Sequence, residues 1–174
     1  SPAPPPTPAP PIVPLTSADT ARLSFLQTHS DWPRQQALRE MRAGHKRGHW
    51  IWWAFPTLAA RGGDGNSHYT GADLKDVDEA RRYASHPALR SALLEVFRTA
   101  ATAFDEAGRA DGLGPYHVLD EGFGRASDGQ WIMGPVDSFK AWASATLFRE
   151  LARLSGDAEL EAAARAVLHE FRGR

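Results

Sequence analysis

The feature that most constrains the fold is a run of apolar residues at steps of three and four that follows Pro87. Residues at this spacing lie on one side of an α-helix and form an apolar stripe. The stripe consists of Leu89, Leu93, Val96, Ala100 and Phe104. Pro87 suits the first turn of a helix, because its missing N–H would have no partner within the helix there. The pattern therefore predicts a long core helix that begins at Pro87.

The same helical period recurs in five further segments. Each begins near a residue that favours a helix N-terminus, either a capping side chain or a proline in the first turn. The predicted starts are Thr16 or Ser17, Asp31 with Pro33, Asp76, Asp137 and Asp157. The second of these helices is expected to end at Gly44, and the third is expected to end before Pro87. We therefore predict an all-α fold, a single-domain bundle of about six helices.

Two glycine-rich segments interrupt the helical pattern. Residues 61–71 combine glycine with asparagine, aspartate and serine, which predicts a loop. Residues 108–134 contain seven glycines and predict a long insertion. Long insertions in compact domains are often functional lids or mobile segments. Within this insertion, residues 116–119 and 130–133 are compatible with the two strands of a small hairpin.

The first fourteen residues contain eight prolines, which exclude helix and sheet and favour the polyproline II conformation. We predict a disordered proline-rich linker or tail over residues 1–16 and a helical domain over residues 17–174. A tail of this kind is typical of a domain tethered to other domains, so the chain is expected to be part of a longer polypeptide.

Composition excludes several classes of protein. The net charge of −1 gives no global basic field of the kind that a non-specific nucleic-acid binder uses. The absence of cysteine excludes a disulfide scaffold and cysteine-ligated zinc. No apolar run approaches the ~20 residues that span a bilayer, and no dinucleotide or phosphate-loop fingerprint is present. We therefore predict no metal, no cofactor and no membrane partner, with the cytoplasm as the default compartment.

A basic run followed by aromatic residues stands out between residues 34 and 56. Five lysines and arginines against one acid lie between Arg34 and His49, and three of the six tryptophans follow at once. Such a block suits an anionic ligand with a flat ring. It is equally typical of a buried aromatic segment with a cationic rim.

Three blocks of the chain together resemble a known family. The blocks are GHKRGHWIWWAFP (residues 44–56), DEARRYASHPAL (78–89) and GPVDSFKAWASATLF (134–148). The family that they resemble is bacterial, small, all-helical and of unknown function. Some of its members are mislabelled calpastatin, and one is a mycobacterial conserved hypothetical protein. The resemblance runs from about residue 23 to residue 171. It implies a single helical bundle and no particular activity.

The family motifs fall on definite positions of this chain. They match Gly44, Lys46, His49 and Trp50 in the first block, His86 and Pro87 in the second, and Asp137, Lys140, Ser144, Thr146, Leu147 and Phe148 in the third. Two positions depart from the pattern, because Thr57 replaces a glutamine and Ala143 replaces a serine. If the family reacts through either replaced residue, this chain binds without reacting or acts on a different ligand.

These positions define a predicted site for a small anionic ligand, with a nucleotide or phosphorylated metabolite as the favoured class. The predicted ligand-binding residues are Lys46, His49, Trp50, Trp52, Lys140, Ser144 and Thr146. The cations would hold the anionic group near the helix that begins at Asp137, whose unpaired N–H groups favour anions. A tryptophan would stack on the planar part. Whether the protein is an enzyme stays open; in a hydrolase or transferase, His49 would be the general base, oriented by Asp137.

Two alternatives compete with this hypothesis. In the structural alternative, Lys140 pairs with Asp137 on the surface, His49 is a hydrogen-bonded core histidine, and the tryptophans pack in the core. In the functional alternative, the domain is a tethered interaction module, and the face formed by residues 34–49 binds an acidic protein partner. Nucleic acid is a possible but less favoured partner of that face.

Overall fold

The computed structural model describes residues 2–5, 8, 13–59, 71–124 and 136–172, and only the backbone of residues 121–124. Within these residues the chain forms seven helices and no strand, which confirms the predicted all-α fold. The helices are α1 (Ser17–Arg42), α2 (Ile51–Ala54), α3 (Val77–Ser85), α4 (Pro87–Asp111), α5 (Pro115–Gly124), α6 (Val136–Ser155) and α7 (Ala158–His169). None of the helices in this part of the chain is long and apolar enough to cross a membrane.

One continuous helix, α1, replaces the two helices predicted between residues 16 and 44. The predicted break at Asp31 is wrong, because Pro33 lies inside the helix. A proline inside a helix removes one hydrogen bond and costs about 3 kcal/mol. The buried residues on both sides of the proline nevertheless lie on one helical stripe that faces the core, and α1 packs against α4. Burial of this stripe offsets the local cost of the proline.

Most of the other predicted helix starts are confirmed. The Thr16 hydroxyl accepts a hydrogen bond from the N–H of Asp19 at 3.1 Å, so α1 begins at Ser17. The Asp76 carboxylate caps α3 in the same way, accepting from the N–H of Glu79 at 2.8 Å. Helix α4 begins at Pro87, as predicted. Helix α7 follows Asp157, whose carboxylate accepts a hydrogen bond from the N–H of Leu160 at 3.1 Å.

The stretch predicted as a glycine-rich insertion is largely helical in its first half. Helix α4 continues to Asp111 and ends at Gly112, which adopts the left-handed conformation with φ +77° that glycine tolerates best. Residues 116–119 belong to α5, so the first strand of the hairpin is wrong. The buried side chains of Val118 and Leu119 explain the helix, because they anchor α5 in the hydrophobic core. Residues 130–133 and residues 61–70 of the loop predicted over 61–71 lie outside the described residues.

Helix α4 is the centre of the bundle and packs against α1, α3, α5 and α7. Its Phe97 ring contacts both Phe55, stacked with ring centroids 6.1 Å apart, and Phe148, tilted with ring centroids 6.3 Å apart. Helix α6 packs mainly on α7 and also contacts α2, α3 and α5. The N-terminal end of α6 therefore meets the short α2 and the chain that follows it.

Candidate binding site at the start of α6

A parallel bridge between Leu58 and Leu74 joins two stretches of chain close to α6. The N–H of Leu74 donates to the carbonyl of Thr57 at 2.9 Å, and the N–H of Ala59 donates to the carbonyl of Leu74 at 2.7 Å. The bridge connects the chain on either side of residues 60–70. It thereby places Thr57 next to Asp73, although the two lie sixteen positions apart in the sequence.

Lys140, on the second turn of α6, reaches this bridge. Its ammonium group donates from Nζ to the Thr57 hydroxyl at 3.3 Å. Burial lowers the pKa of the Lys140 ammonium, and the carboxylates of Asp73 and Asp137 offset only part of that effect. Lys140 is thus a half-buried cation with two acids nearby, rather than a solvated surface lysine.

Asp73 provides an acceptor at the same place. The residue is 8% exposed, and its backbone carbonyl accepts a hydrogen bond from Arg22 Nη2 at 2.7 Å. Among the described residues, no donor lies within hydrogen-bond distance of the carboxylate atom Oδ2. A buried acceptor without a donor costs about 1–3 kcal/mol. A ligand hydroxyl or amine that donated to this oxygen would recover that cost.

Lys46 forms a buried ion pair beside this cluster. Its side chain is 3% exposed, and its Nζ lies 2.9 Å from Asp137 Oδ2. The same ammonium donates to the carbonyl of Gly48 at 2.6 Å and lies 5.2 Å from the centre of the Trp50 ring. Lys46 therefore ties the chain between α1 and α2 to the start of α6.

Asp120, from α5, occupies the N-terminus of α6. Its two carboxylate oxygens accept from the N–H groups of Asp137 and Ser138 at 3.0 Å each, and the Ser138 hydroxyl also donates to it. Burial raises the pKa of the Asp120 carboxyl, and these hydrogen bonds only partly oppose the shift. The prediction that Asp137 caps α6 is therefore wrong. An anionic ligand would find these N–H groups already bound to a carboxylate.

A second carboxylate, that of Glu40, holds the chain between α1 and α2. It accepts from the N–H of Gly48 at 2.7 Å and from the N–H of Arg47. Burial acts to raise the pKa of the Glu40 carboxyl, but the hydrogen bonds from these two N–H groups, together with the nearby polar side chains of Trp50 and Gln36, lower it below its usual value. The half-buried carboxylate of Glu40 thus holds the backbone of the basic run.

The remaining residues of the predicted site are scattered. His49 is exposed, Trp50 is fully buried and Trp52 is half-buried. Ser144 is fully buried within α6, and the Thr146 hydroxyl donates to the carbonyl of Trp142 in the same helix at 2.8 Å. The structure therefore brings Lys46, Asp137 and Lys140 together, whereas Ser144 is buried within α6 and the Thr146 hydroxyl bonds a carbonyl of its own helix. The predicted roles of His49 and Asp137 as base and orienting acid stay a prediction, with Asp137 already paired to Lys46.

Sequence reasoning missed three residues of this cluster as contributors to a site. In the sequence, Thr57 stands out only as a departure from the family pattern, and neither Asp73 nor Asp120 belongs to a motif. The N–H groups that Asp120 caps lie 17 and 18 residues further along the chain. No local pattern predicts a contact at that distance.

The reactivity of Lys140 gives a direct test of its surroundings. Burial lowers the pKa of its ammonium. We therefore expect the rate at which an amine-acylating reagent labels Lys140 to reach half of its maximum at a lower pH than the rate for Nα-acetyl-lysine, whose ε-amine is free, in the same tube. Peptide mass spectrometry can follow each site separately, since the chain has only three lysines, Lys46, Lys75 and Lys140. A midpoint at or above that of N-acetyl-lysine would contradict the described environment.

Comparison with known proteins identifies a family. The model of a family described as "Protein of unknown function (DUF1810)" matches residues 20–114, which is more than half of the chain. The matched stretch includes Lys46, Thr57 and Asp73, and it ends just before α5. No curated protein and no solved structure matches the chain.

Proposed function

We infer that this chain, which belongs to the DUF1810 family of proteins of unknown function, binds a small anionic ligand where Lys140 faces Thr57 and Asp73. These three residues are named the Lys140 site below. The favoured class of ligand is a nucleotide or a phosphorylated metabolite. The observation that carries the proposal is a half-buried cation that feels the charge of a buried carboxylate, whose Oδ2 has no donor among the described residues.

A ligand that carries both a phosphate and hydroxyl groups complements this pairing. Its phosphate would accept hydrogen bonds from the Lys140 ammonium and the Thr57 hydroxyl, and charge-assisted bonds of this kind are roughly twice as strong as neutral ones. A ribose or sugar hydroxyl would donate to Asp73 Oδ2. Inorganic phosphate has one or two O–H groups at neutral pH but no sugar hydroxyl that could reach Asp73 Oδ2 while its oxygens accept from Lys140 and Thr57. We therefore expect a nucleotide or sugar phosphate to bind more tightly than inorganic phosphate.

The ion pair beside the Lys140 site supports the same proposal. Lys46 lies 2.9 Å from Asp137, so the charge of that carboxylate is balanced by a cation other than Lys140. Asp137 therefore does not neutralise Lys140 by itself, and Asp73 is the acid with the larger electrostatic effect on Lys140. Trp52, half-buried on α2, is the tryptophan of the predicted pair that keeps exposed ring surface, and α2 contacts α6. It would stack on a base if the ligand is a nucleotide.

Substitution of Lys140 tests the proposal. We expect Lys140→Met to weaken nucleotide or sugar-phosphate binding by about 10- to 100-fold, because hydrogen bonds to charged groups are worth about 1.5–3 kcal/mol and each tenfold is about 1.4 kcal/mol. Asp73→Asn should also weaken binding, because the amide replaces one accepting oxygen with an NH2 group that can only donate. The measurement is isothermal titration against a panel of nucleotides, ADP-ribose and sugar phosphates, with a ligand first identified by thermal shift.

Lys75→Met is the control for loss of a lysine charge two residues from Asp73, because Lys75 is 60% exposed and its Nζ lies 3.8 Å from Asp19 Oδ1. It should leave binding unchanged. Binding of a panel member that is equally strong in wild type, Lys140→Met and Asp73→Asn would place the ligand elsewhere. A panel with no ligand at all for the wild type would count against the proposal as a whole.

One observation favours the interaction module as a second candidate function. Arg39, Arg42 and Arg47 are exposed near the C-terminal end of α1 and in the chain that follows it. They form the accessible part of the face predicted over residues 34–49, whereas Lys46 is buried. Binding of an acidic partner or nucleic acid to these arginines should weaken steeply between about 50 and 200 mM salt. Binding at the Lys140 site should respond less, because partly buried charges are screened less.

A further inference from the structure

A polar groove runs along α4 beside the C-terminal end of α1. It has a volume of about 330 Å³ and is lined by Arg42, Arg98, Thr99, Thr102, Ala103 and Glu106. We name it the α4 groove. Five of its six lining residues carry a polar side chain, which sets it apart from a gap in the apolar packing. None of them belongs to the Lys140 site.

The two arginines of the groove are only loosely held. Arg42 Nη2 lies 3.6 Å from Glu95 Oε1, and all of these side chains are at least half exposed. Arg98 Nη2 lies 3.6 Å from Glu159 Oε2 in an equally exposed pair. Both separations are longer than a hydrogen bond, and exposed ion pairs of this kind contribute little to stability. A carboxylate of a partner could therefore bond either guanidinium without breaking a strong contact.

The two threonine hydroxyls of the groove are uncommitted as well. A threonine inside a helix can bond the carbonyl four residues earlier, as Thr20 and Thr146 do at 3.1 and 2.8 Å. Within the part of the chain that the structure describes, neither Thr99 nor Thr102 forms a side-chain hydrogen bond. Their hydroxyls are therefore available to a ligand in the groove.

The two ends of the groove carry opposite charge. Arg98, Thr102 and Glu106 follow one another at steps of four, so they lie along one side of α4. Arg42 lies beside Glu95, which places both arginines at the N-terminal end of the groove. Glu106, at the other end, is exposed and forms no ion pair with a described residue. Arg98 and Glu106 are eight positions apart, which is about 12 Å along the helix axis.

An extended peptide with one acidic and one basic side chain complements this arrangement. A guanidinium can bond both oxygens of a carboxylate, so the arginine end suits an aspartate or glutamate. An extended chain rises about 3.3 Å per residue, so 12 Å corresponds to about four residues. The threonine hydroxyls between the two ends could bond the peptide backbone. A nucleic acid is a poorer match, because its phosphates would meet the carboxylate of Glu106.

We propose that the α4 groove binds an extended segment of a protein partner in which an acidic residue and a lysine or arginine lie about four residues apart. The acidic side chain pairs with Arg42 and Arg98, and the basic side chain pairs with Glu106. The loosely held guanidiniums, the uncommitted hydroxyls and the opposite charges at the two ends support this assignment. The proposal rests on the interaction-module function, whose partner it specifies, and is independent of the Lys140 site.

Selection from a phage library of random twelve-residue peptides, panned on the whole chain, tests the proposal. We expect the selected peptides to share an acidic and a basic residue three to five positions apart. Fluorescence anisotropy then measures the affinity of a synthetic peptide of the selected sequence. Arg98→Glu should weaken its binding by about tenfold or more, because like charges then face each other. A peptide with lysine in place of its acidic residue should regain affinity for Arg98→Glu.

The other end of the groove gives a reciprocal test. Glu106→Arg should weaken binding of the selected peptide to a similar extent, and a peptide with glutamate in place of its basic residue should regain affinity for that variant. Arg165→Glu is the matched control, because Arg165 is 66% exposed on α7 and does not line the groove. Both Arg165→Glu and Lys140→Met should bind the selected peptide as wild type does.

Four results would overturn the proposal. A library that yields no charge-dependent binder would count against the groove and the interaction module together, whereas nucleotide binding at the Lys140 site is measured separately. A peptide that is insensitive to Arg98→Glu and Glu106→Arg but sensitive to Arg39→Glu would keep the interaction module and exclude the groove. Loss of peptide binding in Lys140→Met alone would assign the peptide to the Lys140 site. An oligothymidine that outcompetes the peptide and binds more tightly to Glu106→Gln would identify nucleic acid as the occupant.

Discussion

Replacement of Lys46 by methionine is expected to lower the free energy of unfolding by about 3 kcal/mol. Removal of one partner from a buried ion pair costs about 3–5 kcal/mol, because the other charge stays buried without its partner. Lys46 is 3% exposed, but Asp137 is 19% exposed and lies in the first turn of α6, where the helix dipole favours a negative charge. Both facts about Asp137 place the expected loss at the lower end of that range. Urea unfolding followed by circular dichroism measures it.

A double-mutant cycle separates the ion pair from the packing of the lysine chain. Asp137→Asn alone and Lys46→Met with Asp137→Asn complete the cycle, and the double variant should be more stable than the sum of the two single losses indicates. Lys75→Met, at an exposed lysine, should change stability by less than about 0.5 kcal/mol. The ion pair would not have the role described if Lys46→Met were as stable as wild type. Loss of ligand binding with full stability would instead make Lys46 a ligand contact, as the sequence predicted.

Replacement of Trp50 by alanine is expected to cost about 3–5 kcal/mol of unfolding free energy, the usual loss for a large aromatic residue in a core. Trp50 is fully buried and belongs to the same hydrophobic cluster as Phe55 and Phe97. Lys46 also lies over its ring, so the alanine variant would remove a cation–π contact in addition to the packing. The side chain has no exposed surface on which a ligand could stack.

Trp52→Ala is the matched comparison, because Trp52 is half-buried on the same short helix. It should cost less stability than Trp50→Ala, and it should weaken binding if the ligand of the Lys140 site is a nucleotide. Calorimetric melting gives the stability of both variants, and titration gives the affinity. A Trp50→Ala variant with near wild-type stability would mean that the ring is not a core residue. A Trp52→Ala variant that binds a nucleotide as well as wild type would assign stacking to another residue.

The helices themselves were predictable because their causes are local. The stripe that follows Pro87 and the capping side chains of Thr16, Asp76 and Asp157 act within one or two turns, and the structure confirms the helices that they predict. The break at Pro33 was predicted from an equally local rule and is wrong. The local cost of the proline is outweighed by burial of α1 against α4. That packing cannot be inferred from the residues around Pro33.

The site was only partly predictable. Lys46, Asp137 and Lys140 were selected by residue type and by family resemblance, and the structure places them together. Their electrostatic roles were not predictable, because Asp120 and Asp73 come from parts of the chain with no motif. The free helix N-terminus expected for the anion is bound by Asp120 instead. This moves the proposed ligand contact from the helix N-terminus to the side chain of Lys140.

By itself, the sequence determined the all-α class, the positions of most helix starts and the residue types available for a site. Each follows from periodicity, capping or composition, which operate over a few neighbouring residues. Only the tertiary structure decided that Lys46 is buried against Asp137, that Trp50 is in the core, and that Lys140 meets Thr57 and Asp73. These outcomes depend on contacts between residues far apart in the chain, and the burial that sets their charges and pKa values exists only once the helices have packed.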